Sequence, residues 1–171
     1  IDILINNAAI LKDSLLISCF KGKIKKLPLE NWESVINTNL NGAMYVTREI
    51  VERMVLKRIE GLIINVSSVS SYGNPGQSAY AATKAGLNAL TVTWSQELHN
   101  FGIRVAGLSP GITNTDMPKQ SLSKTQLEIW KKRIPLKRFA TINEIVKGFI
   151  FIIENNYFTG KTLEIDGGLR L

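Results

Sequence analysis

Leu62-Ile63-Ile64-Asn65-Val66-Ser67-Ser68, answered further on by Tyr80-Ala81-Ala82-Thr83-Lys84, decides how this chain folds. The first five residues are a short apolar run rich in β-branched side chains, which reads as a buried strand. Hydroxyls follow at Ser67, Ser68, Ser70 and Ser71, and Tyr72-Gly73-Asn74-Pro75-Gly76 demands a loop. After Gln77 the composition turns to alanine-rich helix formers, with Leu87, Leu90 and Trp94 in helical spacing. The order is therefore strand, polar loop, helix.

On that helix Tyr80 and Lys84 stand four residues apart, so phenol and ammonium share one face. A free phenol titrates near 10 and is a poor acid or base at neutral pH. An ammonium about 5 Å away favours the phenolate by roughly 3 kcal/mol at an effective dielectric of about 20, or about two pKa units. An isolated pair of this kind is usually an ordinary half-buried helix face. This pair follows a strand that ends in serines, at the carboxyl edge of the expected sheet, where open α/β proteins place their sites.

These residues belong to a larger set. Asn6-Asn7-Ala8-Ala9, Asn37-Thr38-Asn39-Leu40, Asn65-Val66-Ser67-Ser68, Tyr80-x-x-x-Lys84 and Pro110-Gly111-Ile112-Thr113-Asn114-Thr115-Asp116-Met117 occur in that order, followed by Phe158-Thr159-Gly160 and Asp166-Gly167-Gly168. Together they resemble the short-chain dehydrogenase/reductases over essentially the whole chain. Gly73-Asn74-Pro75-Gly76-Gln77 and the carboxyl-terminal run are most similar to the 3-oxoacyl-(acyl carrier protein) reductase branch.

The resemblance implies an α/β fold with a doubly wound, mostly parallel, Rossmann-like sheet. Residues 1–171 read as a single domain of that kind, its carboxyl-terminal portion. The family's first strands and the glycine-rich turn that cradles a cofactor pyrophosphate have no counterpart here, and no Gly-x-Gly-x-x-Gly occurs. The implied reaction is hydride transfer between NADP or NAD and a carbonyl or secondary alcohol. In it Tyr80 passes the proton, Lys84 lowers the phenol pKa and binds the nicotinamide ribose, Ser68 holds the substrate oxygen, and Asn39 holds a relay water. Asn7, Pro110, Gly111, Thr113 and Thr115 match cofactor-binding positions, and the oxidised nicotinamide adds a second positive charge beside the phenol. Counting back thirteen residues from Tyr80, the commoner family separation, selects Ser67; anchoring on the strand selects Ser68 and shortens the loop. Only one of the two can face the site, and a loop absorbs a deletion more easily than a buried strand absorbs a slip, which favours Ser68.

Composition sets outer limits. The 171 residues are 44% hydrophobic, ample for a core, and no apolar run approaches a membrane span or a signal peptide. The expectation is a cytoplasmic protein. One cysteine, Cys19, and one histidine, His99, provide neither a disulfide nor a metal cluster. The net charge of +7 suits acidic partners such as phosphorylated cofactors or an acidic carrier protein. Its local concentrations, Lys21 to Lys26 and Lys131 to Arg138, lack interleaved aromatics and read as solvated surface, so nucleic acid is not expected.

The rest of the chain reads in order. Ile1 to Ile5 is expected as a core strand, and Lys21 to Lys26 as a hairpin or loop tip within an insertion that shapes the substrate mouth or is plain surface. A helix from about Glu30 to Lys57 should break near Asn39, whose amide competes for backbone groups. Ile103 to Leu108 is the next strand, and Asp116 to Lys132 is, by resemblance, a lid over the substrate. Thr141-Ile142-Asn143-Glu144 is a capping box opening the last helix, and Thr162 to Ile165 is the final strand. Leu169 and Leu171 suit a subunit contact, and the family implies a homotetramer. The branch resemblance implies 3-oxoacyl-(acyl carrier protein) reduction in fatty acid synthesis, with a small-molecule or carrier-bound carbonyl compound as the expected substrate. Arg58 stands where the family docks that carrier, but Phe101 occupies the place of a second arginine. A sugar, polyol or small ketone as substrate, and a non-catalytic scaffold subunit, are the alternative readings.

Overall fold

Four parallel strands organise the computed structural model, which describes residues 1–115 and 123–171. They are β1 (Ile3–Asn6), β4 (Leu62–Val66), β5 (Arg104–Pro110) and β6 (Thr162–Ile165), hydrogen-bonded in the order β1-β4-β5-β6. Between β1 and β4 the chain makes an antiparallel hairpin, β2 (Ile17–Phe20) and β3 (Lys23–Lys26), then the helices α1 (Leu29–Ile36) and α2 (Gly42–Leu56). The long helix α3 (Ser78–Leu98) joins β4 to β5; α4 (Lys124–Arg133) and α5 (Ile142–Glu154) precede β6. Parallel strands require such crossovers, and they cover both faces of the sheet.

Alternation along β4 divides the core. Leu62 and Ile64 pack with Ala106, Leu108, Ile145 and Ile152 on the α5 side. Ile63 faces the other way, into Met54, Ile103 and Val105, with Trp94 and Leu98 of α3 against them. Burial of each such aliphatic side chain stabilises the fold by about 1.5–3 kcal/mol. A third cluster, Val69, Ile134 and Leu169, seals the end of the sheet beneath α4.

Local chemistry explains the element ends. Thr141 and Glu144 form the expected capping box, and Ser123 with Gln126 forms another at α4. Arg104, at the start of β5, donates to the carbonyls of Ile152, Ile153, Asn155 and Phe158 and so closes the carboxyl end of α5. The expected break at Asn39 is a π-helical turn, Asn37–Asn41, in which the Gly42 N–H reaches back to Asn37 O.

β1 pairs in parallel with β4 in the central sheet, Ile3 to Asn6 against Leu62 to Asn65. One expectation needs correction. Leu169 is 2% exposed and packed inside its own chain, so of the terminal leucines only Leu171 reaches solvent. The lid expectation falls partly on residues 116–122, outside the described residues. Among the described residues no helix is long and apolar enough to cross a membrane, and no group of three His, Cys, Asp or Glu could hold a metal ion.

Candidate active site

Because β1, β4 and β5 are parallel, their carboxyl ends deliver Asn7, Ser67-Ser68 and Pro110-Gly111 to one edge of the sheet. The amino-terminal half of α3 returns across that edge with Tyr80 and Lys84. The alternation of β4 separates the two serines. Ser67 is buried and its Oγ donates to the Lys84 carbonyl at 3.1 Å. The Oγ of Ser68 accepts from the Ser70 N–H at 3.1 Å, capping the short 3₁₀ turn Val69–Tyr72, and lies beside the Tyr80 phenol.

Lys84 is only 2% exposed. Its Nζ donates to the Val66 carbonyl at 2.7 Å and lies 5.4 Å from the centre of the Tyr80 ring. Among the described residues no carboxylate pairs with it, and burial pulls its pKa down to about 8. The ammonium is still the majority form at pH 7. The half-buried phenol behaves differently from the expectation: its pKa is raised, not lowered. Desolvation of the phenolate is the main cause, the Ser68 hydroxyl offsets part of it, and the Asp13 carboxylate adds to it. The Lys84 ammonium is directed at a backbone carbonyl and lies over the ring face.

Asn39 is buried and fully employed. Its Oδ1 accepts from the Ile10 N–H at 2.8 Å, and its Nδ2 donates to Ile10 O at 3.0 Å and Thr83 Oγ1 at 3.4 Å. The side chain thus clamps the loop after β1 to the helix that carries Tyr80. Pro110 ends β5, and the Gly111 N–H donates to Ile165 O at 2.8 Å. The Thr113 hydroxyl donates to Gly111 O at 3.1 Å, and the Thr115 N–H to Thr113 O at 2.8 Å. Asn7 is exposed at the end of β1, its N–H bonded to Ile5 O. Asp116 and Met117 of the same motif lie outside the described residues.

The Asn6 amide ties adjacent elements: its Nδ2 donates to Asn65 Oδ1 and to Thr47 Oγ1, and Asn65 Nδ2 donates in turn to Thr91 Oγ1, so that β1, α2, β4 and α3 are joined. Two features escaped the sequence reading, and the buried Asn65–Thr91 link is the first. Asp13 is the second: it accepts from Gln77 Nε2 at 3.2 Å, and partial burial raises its own pKa.

Comparison with known proteins adds to this geometry. A family model described as enoyl-(acyl carrier protein) reductase matches residues 1–170. The 3-oxoacyl-(acyl carrier protein) reductase of Thermotoga maritima is 42% identical over 99% of this chain and 66% of its own length. That of Buchnera aphidicola is 39% identical over 100% of this chain and 67% of its own. This chain belongs to the short-chain dehydrogenase/reductase family. It spans about two thirds of the length of the curated relatives it matches. Among solved short-chain dehydrogenase/reductase structures, a gluconate 5-dehydrogenase from Burkholderia cenocepacia in complex with NADP and tartrate superposes with a TM-score of 0.88 at 29% identity, covering 99% of this chain and 64% of that one. A 4-hydroxyisoleucine dehydrogenase complexed with NADH gives 0.82 at 28% identity, covering 98% and 68%. The mostly parallel sheet flanked by helices is the one they share.

Proposed function

We propose that this protein reduces a 3-oxoacyl thioester on acyl carrier protein, using NADPH or NADH, in cytoplasmic fatty acid synthesis. The convergence of Ser68, Tyr80 and Lys84 on one wall at the carboxyl edge of the sheet carries the reading. The reductases at about 40% identity favour the thioester substrate.

The residues fit the nicotinamide end of a dinucleotide. A buried ammonium with, among the described residues, one acceptor and no carboxylate partner suits a pair of ribose hydroxyls. Asn7, Pro110, Gly111, Thr113 and Thr115 share the same sheet edge and would line the cofactor. When bound, the nicotinamide supplies hydride to the carbonyl carbon, which is chemistry the protein does not itself possess. Ser68 donates a hydrogen bond to the carbonyl oxygen and orients it. Tyr80 gives that oxygen its proton as the alcohol forms, and Lys84 stabilises the phenolate left behind. Asn39 fixes the helix on which both stand, and a water at its π-helical turn would return the proton through Lys84.

Homotetramer formation is part of the proposal. Met44, Tyr45 and Val46 on α2, and Ile150 and Phe151 on α5, are exposed apolar side chains that subunit contacts would cover. The alternative is a dehydrogenase acting on a sugar acid or small hydroxy compound, favoured by the two solved dehydrogenases and by Phe101 in place of an arginine. The test is the full-length protein with a 3-oxoacyl thioester and each cofactor, alongside gluconate with the oxidised cofactors. Tyr80→Phe should lower kcat by about 10²–10⁴ with little change in melting temperature. Full activity in that variant would falsify the assignment.

A further inference from the structure

The β2–β3 hairpin is not used by the chemistry above. Phe20 pairs with Lys23 across a two-residue turn, Lys21-Gly22, in which both φ angles are positive. Among the described residues the ribbon has no third strand on either edge, a state that is marginal in water unless something packs against it. It carries Lys21, Lys23, Lys25 and Lys26, and no acidic residue occurs between Asp13 and Glu30. The register sets Ser18 and Phe20 on one face with Lys23 and Lys25, and Phe20 and Ile24 are 76% and 69% exposed. Beside its foot lies an apolar groove of about 450 Å³, lined by Leu16, Ile17, Leu27, Leu29 and Trp32 and bordered by Ser78.

That foot is stitched to the approach of the active-site helix. The Ser14 N–H donates to Gly76 O at 2.8 Å, Gln77 bonds Asp13, and Ser78 opens α3 two residues before Tyr80. A partner seated on the hairpin would therefore sit at the mouth of the site.

We infer that the hairpin and the groove at its foot are the docking surface for the acidic carrier protein that presents the thioester. This rests on the thioester reduction proposed above. Charge complementarity selects the occupant: four lysines with exposed apolar neighbours match an acidic surface bearing an apolar cargo, whereas a second copy of this +7 chain would set the lysines against like charge.

The experiment presents one short 3-oxoacyl group to the full-length protein in two forms, on acyl carrier protein and on N-acetylcysteamine. Lys23→Glu with Lys25→Glu should raise KM for the carrier-bound substrate about tenfold or more, and leave KM for the small thioester within about twofold. Calorimetric affinity for the carrier should fall in step, and Lys23→Gln with Lys25→Gln should move both in the same direction by less. An unchanged carrier KM overturns the inference. So does an equal rise for both substrates, or wild-type protein that binds anionic vesicles or duplex DNA more tightly than the carrier. Wild-type turnover of the small thioester tests the proposed reaction separately: if it is absent the reduction itself fails, and if it is present with a charge-insensitive carrier KM only the docking surface fails.

Discussion

Lys84 Nζ lies over the Tyr80 ring, 5.4 Å from its centroid, and spends its described hydrogen bond on the Val66 carbonyl at 2.7 Å. The pair is thus a buried cation beside a half-buried phenol, and neither pKa moves in the direction that favours its own charged form. This arrangement is costly for folding, and it is the pair to which the proposed proton transfer is assigned.

The cost has a sign. The Lys84 pKa falls from its ordinary 10.5 to about 8 in the fold, so between those values the unfolded chain binds a proton that the folded chain does not. Stability should therefore rise as pH is raised from about 8 toward 10.5 and be flat with respect to this group below 8. Lys84→Met should remove that slope, leave the protein as stable or more stable by about 1–3 kcal/mol at pH 7, and abolish turnover. Urea titrations of both proteins at several pH values check it; a marked loss of stability in Lys84→Met would show that the ammonium is a structural support.

Asp13 faces Tyr80 from the loop after β1, while Ser68 and Lys84 face it from β4 and from its own helix. Of these, desolvation and Asp13 hold the phenol protonated, the form a reductase needs. Asp13→Asn keeps an acceptor for Gln77 and removes the charge, so the Tyr80 pKa should fall. The alkaline limb of the reduction profile should move to lower pH, as should the tyrosinate absorbance step that Tyr80→Phe deletes. Identical titrations with and without the carboxylate would rule this out.

What could be read from the sequence follows from where each signal resides. The β4 run and the alanine-rich start of α3 carry local period and propensity, so strand, loop and helix were legible. Asn39 was legible as a break because an amide inside a helix competes with the backbone, and the π-helical turn is the outcome. The partners of Asn65 were not, since a lone asparagine in a strand does not say which hydroxyl it meets 26 residues later at Thr91. Asp13 was missed for the same reason: its influence on Tyr80 exists only once two loops are side by side. The phenol pKa was misjudged because spacing along a helix gives proximity but neither the burial of the ring nor the direction of the ammonium. Leu169 was misplaced because hydrophobicity near a chain end does not distinguish an internal contact from an external one.

Arg104 supplies a stability prediction away from the chemistry. Its guanidinium bonds four carbonyls at the carboxyl end of α5, at 2.9 to 3.3 Å, and partial burial lowers its pKa without discharging it. Arg104→Met keeps the aliphatic stem and strands those carbonyls. The expected loss is about 1–3 kcal/mol, with hydrogen exchange accelerating first in the last turn of α5. Unchanged exchange there would mean that water replaces the guanidinium at no cost.

The loop after β5 depends on contact as close as backbone allows. A Cβ on Gly111 would come within 2.6 Å of Asp166 Cα and 3.0 Å of Asp166 O, positions that no side-chain rotation can relieve. The Gly111 N–H to Ile165 O bond at 2.8 Å fixes this approach, and Thr113 and Thr115 follow directly from it. Gly111→Ala should therefore push the β5 loop and the chain after β6 apart, costing about 1–3 kcal/mol or roughly 2–10 °C in Tm. Because the displaced threonines are proposed to touch cofactor and not substrate, cofactor KM should rise more than kcat falls. A Gly111→Ala protein with wild-type Tm and cofactor KM would show that Asp166 yields without effort, and the placement of the two threonines would then need another support.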